Sequence, residues 1–546
     1  MKKVLGTALG AAGTIAILTL LSRAMGFVRA WVQNGALGDS LAGEAYSTAN
    51  TVPNVLFEIA AGGALAAAVI PLVSGFLAKA LAAEVSRTAS ALLTWVLAIG
   101  IPVAGLVTLG ARPIMEVLLG ADSPAASVDF AATLLRIFAW QIPLYGLSVV
   151  CTGLLQAHKK FVLPALAPLL SSVTVIITFL IFTELAAGNQ HDPARISRTA
   201  LYVLAWGTTA GVAVFSLPQL IPVLRRITLR PTFRFPPGVG RRALRLSGAG
   251  LAGLLAQQIQ IIAVMLFANA RGDVGTYPVF TFANQLYMVP YAVLAVPIAT
   301  AVFPRLAEAA AIPGRPGLAR ITARSSRLVF DIGLLCVALL VAVAEPAQAL
   351  FAVARPVAHM DIAMLAMAPA LLGYAFIYHG SRVLYAVEAA RAVIIVNSAA
   401  WLSVVVVLIG AAGLGVRGRT EVLISIGAAM SVGMTVGGIG HILAIRRAVG
   451  PGALRGVGYS LRIVLPAAVL AGGVGYATGR AILRWWGEGA LGALGATGAA
   501  GALTLAIGGV ALYLVDRRAL RLARDAEAPS TQEMPAIAVA LDEANA

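Results

Sequence analysis

The chain has 546 residues, 60% hydrophobic and only 12% charged, with a net charge of +17. Soluble domains average about 25% charged residues, and β-barrel strands alternate apolar and polar residues, so the long apolar runs here exclude both classes. The positives sit in short segments between those runs, where membrane topology rather than a nucleic acid calls for them.

Lys2 and Lys3 followed by an apolar stretch resemble a signal peptide. The apolar run continues past Ala11-Ala12-Gly13 to Leu21, however, so it reads as a first transmembrane helix. A bilayer core needs about 20 apolar residues per helix. Fourteen spans meet that need, roughly at 8–36, 47–78, 88–111, 127–156, 161–184, 198–224, 243–269, 275–304, 328–346, 361–387, 392–412, 421–445, 459–481 and 491–515. With the N-terminus in the cytoplasm, 27 of the 40 Lys and Arg fall in inner segments and 9 in outer ones. The positive-inside rule therefore predicts a multi-pass membrane protein with both termini cytoplasmic.

The expected fold is an all-α polytopic membrane protein. Residues 1–224 form an N-lobe of six spans, 225–242 a basic cytoplasmic linker and 243–447 a C-lobe of six spans. Two further helices occupy 448–516, and 517–546 form a polar tail. A faint repeat supports two lobes of parallel topology: Ala66–Pro71 matches Ala299–Pro304, and Leu154–Ala157 matches Val383–Ala386, at offsets of 233 and 229 residues. Gly433 with Gly437, and Gly475 with Gly479, are spaced for close helix packing. Gly26, Pro53, Pro71, Pro290 and Pro297 lie within spans, where kinks can act as hinges.

Charges at membrane depth cost about 2.5–3.5 kcal/mol each on insertion scales, so they face a partner or a polar cavity. Arg23 and Arg29 lie six residues apart on the first span. That spacing turns them some 120° from each other, so one cavity serves both only if it is wide or the helix bends at Gly26. Two arginines so close suggest an anionic ligand. Glu58 is flanked by Val55, Leu56, Phe57 and Ile59 and is available to pair with either arginine; Glu44 precedes the second span. Arg136 could line the cavity, pair with Asp129 or snorkel. Arg382, near an inner span end, reads as snorkelling, and His379 as a core hydrogen-bonding group. Cys151 and Cys336 read as packing residues. No P-loop, His-Glu-x-x-His or paired-Cys motif occurs, and the acids within spans are too dispersed for magnesium. Neither a catalytic group nor a metal or cofactor is expected.

Ser22-Arg23-x-x-Gly26-Phe27-x-Arg29, then Pro53-Asn54 and Gly63-Ala64 leading to Val69-Ile70-Pro71, resembles the start of the MviN/MurJ family. Gln156-Ala157 and Phe303-Pro304-Arg305-Leu306 are similar to the same family. The resemblance implies a lipid II flippase of the bacterial inner membrane, a member of the multidrug/oligosaccharidyl-lipid/polysaccharide exporter superfamily, with fourteen helices in two lobes working by alternating access. It implies that Arg23 and Arg29 match cavity arginines and that Glu44 stands where many members have Asp. Phe57 and Glu58 replace basic residues common after Pro-Asn, and Ala283-Asn284-Gln285 replaces Ala-Asp-Arg. The acids that some members use for sodium are absent from spans 7 and 11, where Asn397 stands alone. The expected substrate site is Arg23, Arg29, Glu44, Asn54, Glu58, Arg136, Asn284 and Gln285, and the expected partner is lipid II, with cell-wall synthesis proteins as further partners. The rival readings are export of another polyprenyl-linked glycan, and a membrane scaffold for cell-wall enzymes in which the arginines form structural ion pairs.

Overall fold

A computed structural model describes residues 2–59, 66–315 and 317–515, with side chains for all of these except 2–16, 66–68, 70–71, 241–251 and 515. Among the described residues the chain is helical without strands. The first half comprises α1 Lys2–Ala36, α2 Leu41–Phe57, α3 Ala66–Ala78, α4 Ala82–Leu109, α5 Ala111–Leu119, α6 Ala125–Phe138, α7 Gln141–Ala157, α8 Val162–Ala186 and α9 Arg198–Leu224. The second comprises α10 Val239–Arg271, α11 Thr276–Pro290, α12 Val296–Ala311, α13 Leu318–Ala354, α14 Met360–Met367, α15 Ala370–Ala386, α16 Ala390–Gly413 and α17 Arg419–Val449. Last come α18 Val457–Trp486 and α19 Ala490–Val515. Inner and outer ends are named here by the positive-inside expectation.

Most of these helices are apolar around their whole circumference, the pattern of a membrane span rather than of a surface helix. Leu106, Leu109, Val406 and Ile409 accordingly point outward from the bundle, each more than 60% exposed. Starts are set by capping where the sequence supplies an oxygen. Ser40 Oγ accepts from the Gly43 N–H and Ser197 Oγ from the Ala200 N–H, each at 3.2 Å.

Eleven helices among the described residues are long and apolar enough to span a bilayer, and α14 with α15, bent by 48°, makes a twelfth. α1 and the α2/α3 pair fall outside that count, so fourteen remains an expectation. Other boundaries differ from the sequence reading. The expected ninth span extends to Leu318–Ala354, the fourth is divided into α6 and α7, and α5 was not foreseen. The second half of the eighth span opens with a π-helical turn, Tyr291–Ala295, between Pro290 and Pro297. Pro71 lies in α3, its side chain outside the described residues.

Two main bodies of buried side chains result. One is built on Tyr46, Phe138, Phe179 and Phe182 from the first nine helices. The other is built on Phe282, Tyr287, Phe351 and Leu371 from α11, α13 and α15. Val464 of α18 and Leu512 of α19 join the second. Lipid is as apolar as leucine, so these faces are held by close packing rather than by escape from water. On α18 the small residues make that possible. A Cβ on Gly472 would stand 3.2 Å from the Ala338 Cα, and one on Gly475 would stand 2.7 Å from the Ala342 Cβ and against Thr504 Oγ1. Gly475→Val is therefore expected to destabilise the protein by about 1–3 kcal/mol, read as a lower melting temperature in detergent; Gly473→Val, where a Cβ meets nothing within 4 Å, is the control.

Candidate substrate cavity between the lobes

The cavity begins with the geometry of α1. Arg29 and Gln33 are one turn apart, so they share a face, and both line a chamber of about 170 Å³ between the lobes. Asn50, Asn54 and Tyr145 form its N-lobe wall, and Thr281 and Gln285 of α11 its C-lobe wall. The wall is pre-organised. Tyr145 Oη donates to Asn54 Oδ1 at 3.1 Å, Asn54 Nδ2 donates to the Asn50 carbonyl at 2.7 Å, and Phe57 stacks on Tyr145 at 4.4 Å. Thr51 Oγ1 and Tyr277 Oη hydrogen-bond across the seam at 2.8 Å. Ser47 Oγ lines the chamber, buried and with no hydrogen-bond partner among the described residues.

Arg23 does not line this chamber. It is exposed on α1, and its charge reaches Tyr291 and Tyr374 of the C-lobe, whereas that of Arg29 reaches Tyr46 and Tyr145 of the N-lobe. The six-residue spacing explains the difference: a continuous helix turns the two guanidinium groups to opposite lobes, and α1 remains helical through Gly26. Glu58 is exposed, and its charge reaches both Tyr145 and Tyr374, so it lies between the lobes. Among the described residues no ion pair joins it to Arg23 or Arg29.

Other site expectations move. Arg136 is exposed on α6 and is not among the residues lining the chamber; Asp129 pairs instead with Arg112 at 2.7 Å. Asn284 lines a second cavity of about 170 Å³ within the C-lobe, with Gln257, Gln260, Tyr374 and Trp401. Thr281 borders both cavities. Arg382 is not simply snorkelling. Its Nη2 donates to Tyr378 Oη at 2.7 Å, and its guanidinium lies over the Tyr378 and Phe303 rings. Tyr291 feels the charges of both Arg382 and Arg23, so these two cations share one region of the C-lobe side. Its closeness to a span end concealed this, and the tyrosine four residues earlier was the available signal. His379 is buried, with Nε2 3.2 Å from Ser326 Oγ. Among the described residues no three His, Cys, Asp or Glu side chains gather as a metal site.

Glu44 is not among the residues lining the chamber either. It is buried at the outer end, where Oε2 accepts from the Gly275 N–H at 2.7 Å. Arg419 Nη1 meets Asp39 Oδ2 at 2.5 Å, and the Arg419 N–H donates to Asp273 Oδ2 at 2.9 Å. Asn34 Nδ2 donates to the Phe351 and Arg355 carbonyls, Trp31 Nε1 to the Leu350 carbonyl, and Arg355 Nη1 meets His191 Nε2. Gly275, at φ +86°, sits against the Asp39 backbone so closely that a Cβ would fall 2.5 Å from its carbonyl carbon. The lobes are thus sewn together at the outer end.

Burial pushes the Glu44 carboxyl up to about 7 against the pull of its Gly275 hydrogen bond. Opening the seam to water would return it toward the ordinary value. The closed seam is accordingly favoured at low pH and loses that contribution as pH rises through about 7. Burial and Arg355 hold His191 below its ordinary value, which works in the opposite direction. The readout is therefore the comparison of wild type with Glu44→Gln: outer-side labelling of the chamber should rise between pH 5 and 8 by a larger factor in wild type than in the variant.

Comparison with known proteins adds lineage to this geometry. The sequence model described as lipid II flippase MurJ matches residues 34–494. The chain is similar to a lipid II flippase MurJ of Burkholderia cenocepacia, 29% identical over 311 residues, which are 54% of this chain and 56% of that protein. It thus spans about half the length of that relative. Among solved structures it resembles a lipid II flippase MurJ in an inward closed conformation, with a TM-score of 0.69 and 18% identity over 92% of this chain and 98% of the other. It also resembles an inward-facing multidrug resistance MATE family transporter of the MOP superfamily, with a TM-score of 0.62 and 17% identity over 80% of this chain and 99% of the other. At these identities the structural likenesses speak to fold alone.

Proposed function

The chain belongs to the lipid II flippase MurJ family, and from that premise we propose that it carries the headgroup of lipid II from the inner to the outer face of the cytoplasmic membrane by alternating access. The observation that supports this most is Arg29, a guanidinium in a polar chamber between two lobes whose outer end is closed. Both termini and the 225–238 segment face the cytoplasm in this reading.

A diphosphate entering from the inner end meets Arg23, then Arg29, each able to give charge-assisted hydrogen bonds. Arg382 adds positive potential on the C-lobe side. Asn54 and Gln285 offer amide groups to sugar, and Asn284 does so from the adjoining C-lobe cavity. Glu58 stands between the lobes, available to compensate the arginines when the headgroup is absent. The polyprenyl tail stays outside the lobes, against α18 and α19. Rocking of the lobes breaks the outer seam, with Gly26, Pro53, Pro71, Pro290 and Pro297 as the flexible points. No covalent step is required.

The test is a bacterial strain depleted of its own lipid II flippase, expressing this chain, with lipid II headgroups probed from outside. Restored growth and labelling support the reading. A chain that inserts into the membrane but leaves lipid II unlabelled would refute it, and restored export of a different polyprenyl-linked glycan would transfer the mechanism to that substrate.

A further inference from the structure

A third cavity lies away from the proposed substrate path, on the flank of the N-lobe. The strap between α9 and α10 is laid along the inner half of α4. Ser90 Oγ accepts from the Arg230 N–H at 2.9 Å, Thr94 Oγ1 accepts from the Thr232 N–H at 3.1 Å, and Trp95 Nε1 donates to the Phe233 carbonyl at 3.2 Å. Beneath it is a hollow of about 580 Å³ walled by Leu93, Leu97, Ile101, Leu147, Leu220 and Leu229, with Arg230 and Pro231 at its mouth. Leu97 and Ile101 are exposed, so the hollow opens sideways from the bundle toward lipid.

From Ser90 to Pro102 the wall runs twelve residues along α4, about 18 Å. One leaflet of hydrocarbon is about 15 Å deep, so the depth suits one acyl chain and is too short for a polyprenyl tail. Above it, Arg225, Arg226, Arg230 and Arg234 are all exposed. None of the four is in an ion pair among the described residues, and the 225–245 segment contains no Asp or Glu. We propose that this hollow binds one acyl chain of an anionic phospholipid of the inner leaflet, with its phosphate held by Arg230 and Arg234. Basic clusters over apolar inter-helix hollows on the cytoplasmic side have the right chemistry for such headgroups. The bound lipid would fasten the strap that joins the lobes. The inference rests on the membrane placement given above but not on lipid II transport.

The test uses the purified full-length chain, delipidated and titrated with phosphatidylglycerol or phosphatidylcholine, with bound lipid counted by native mass spectrometry. Wild type should retain phosphatidylglycerol preferentially. Arg230→Gln and Arg234→Gln should each cut that preference roughly 5-fold, and Ala98→Phe, which fills the hollow, should remove the tightly held lipid altogether. Unchanged melting temperatures identify variants that fold. Equal retention of the two lipids by wild type, or a preference unaltered by all three folded variants, would overturn the proposal. So would a photo-crosslinker at position 98 that captures polyprenyl lipid instead of phospholipid. A chain that selects phosphatidylglycerol yet fails to flip lipid II keeps this site and loses only the transport reading.

Discussion

Arg29→Ala should bind lipid II roughly 10- to 100-fold more weakly than wild type, and cells depending on it should lose outer-face lipid II. The reason is the position of this guanidinium in the chamber, close enough to Tyr46 and Tyr145 to act on both. A hydrogen bond to a charged group contributes about 1.5–3 kcal/mol, which is the fold-change quoted. Arg29→Lys keeps the charge but loses the planar fork that matches phosphate, so it should fall between the two. Arg23→Ala should cost less in affinity, because the side chain is exposed and its field is more screened. The measurements are binding to purified protein and headgroup accessibility in depleted cells. Normal affinity and normal translocation by Arg29→Ala would remove the chamber from the substrate path.

The second large effect is expected at the outer seam. Arg419→Ala removes the partner of Asp39 and the side-chain contact to the Val274 carbonyl. The pair is only 16% and 18% exposed, so its loss should fall between the exposed and fully buried limits, about 1–3 kcal/mol. That moves the balance of closed to open seam by roughly 5- to 100-fold. Ser47→Cys places a thiol in the chamber wall, and both native cysteines are buried, giving a low background. An impermeant maleimide applied from outside should label this thiol much faster with Arg419→Ala present, and likewise with Asp39→Asn. Gly275→Ala should act in the same direction by wedging the seam apart. Labelling unchanged by any of them would mean that closure is held elsewhere.

Much of the architecture was legible because a bilayer makes helix assignment a matter of counting apolar residues. What could not be read was which way a side chain faces once the helices assemble. Arg23 and Arg29 were both visible as charges out of place. Their 120° separation was computable too, but that α1 lies between two lobes, giving each arginine a different one, is a tertiary fact. Glu44 reads as a cavity acid in the sequence; its partner, Gly275, is 231 residues away. Arg136, which could have lined the cavity, is exposed, and Arg382, read as snorkelling, lies over Tyr378 and Phe303, for the same reason. The short helix α5 and the 48° bend between α14 and α15 break apolar runs, and hydropathy does not distinguish a continuing helix from one that turns.

The π-helical turn at Tyr291–Ala295 has a consequence of its own. Such a turn holds one residue more than an α turn needs, and it is flanked by two prolines that already lack the hydrogen bonds it would break. If the surplus residue is expelled, everything beyond it rotates by about 100° and advances by about 1.5 Å. The lower half of the span, with Phe303 against Arg382, can thus be indexed like a gear against its upper half. One helix could then offer two different faces to its neighbours without ever unwinding.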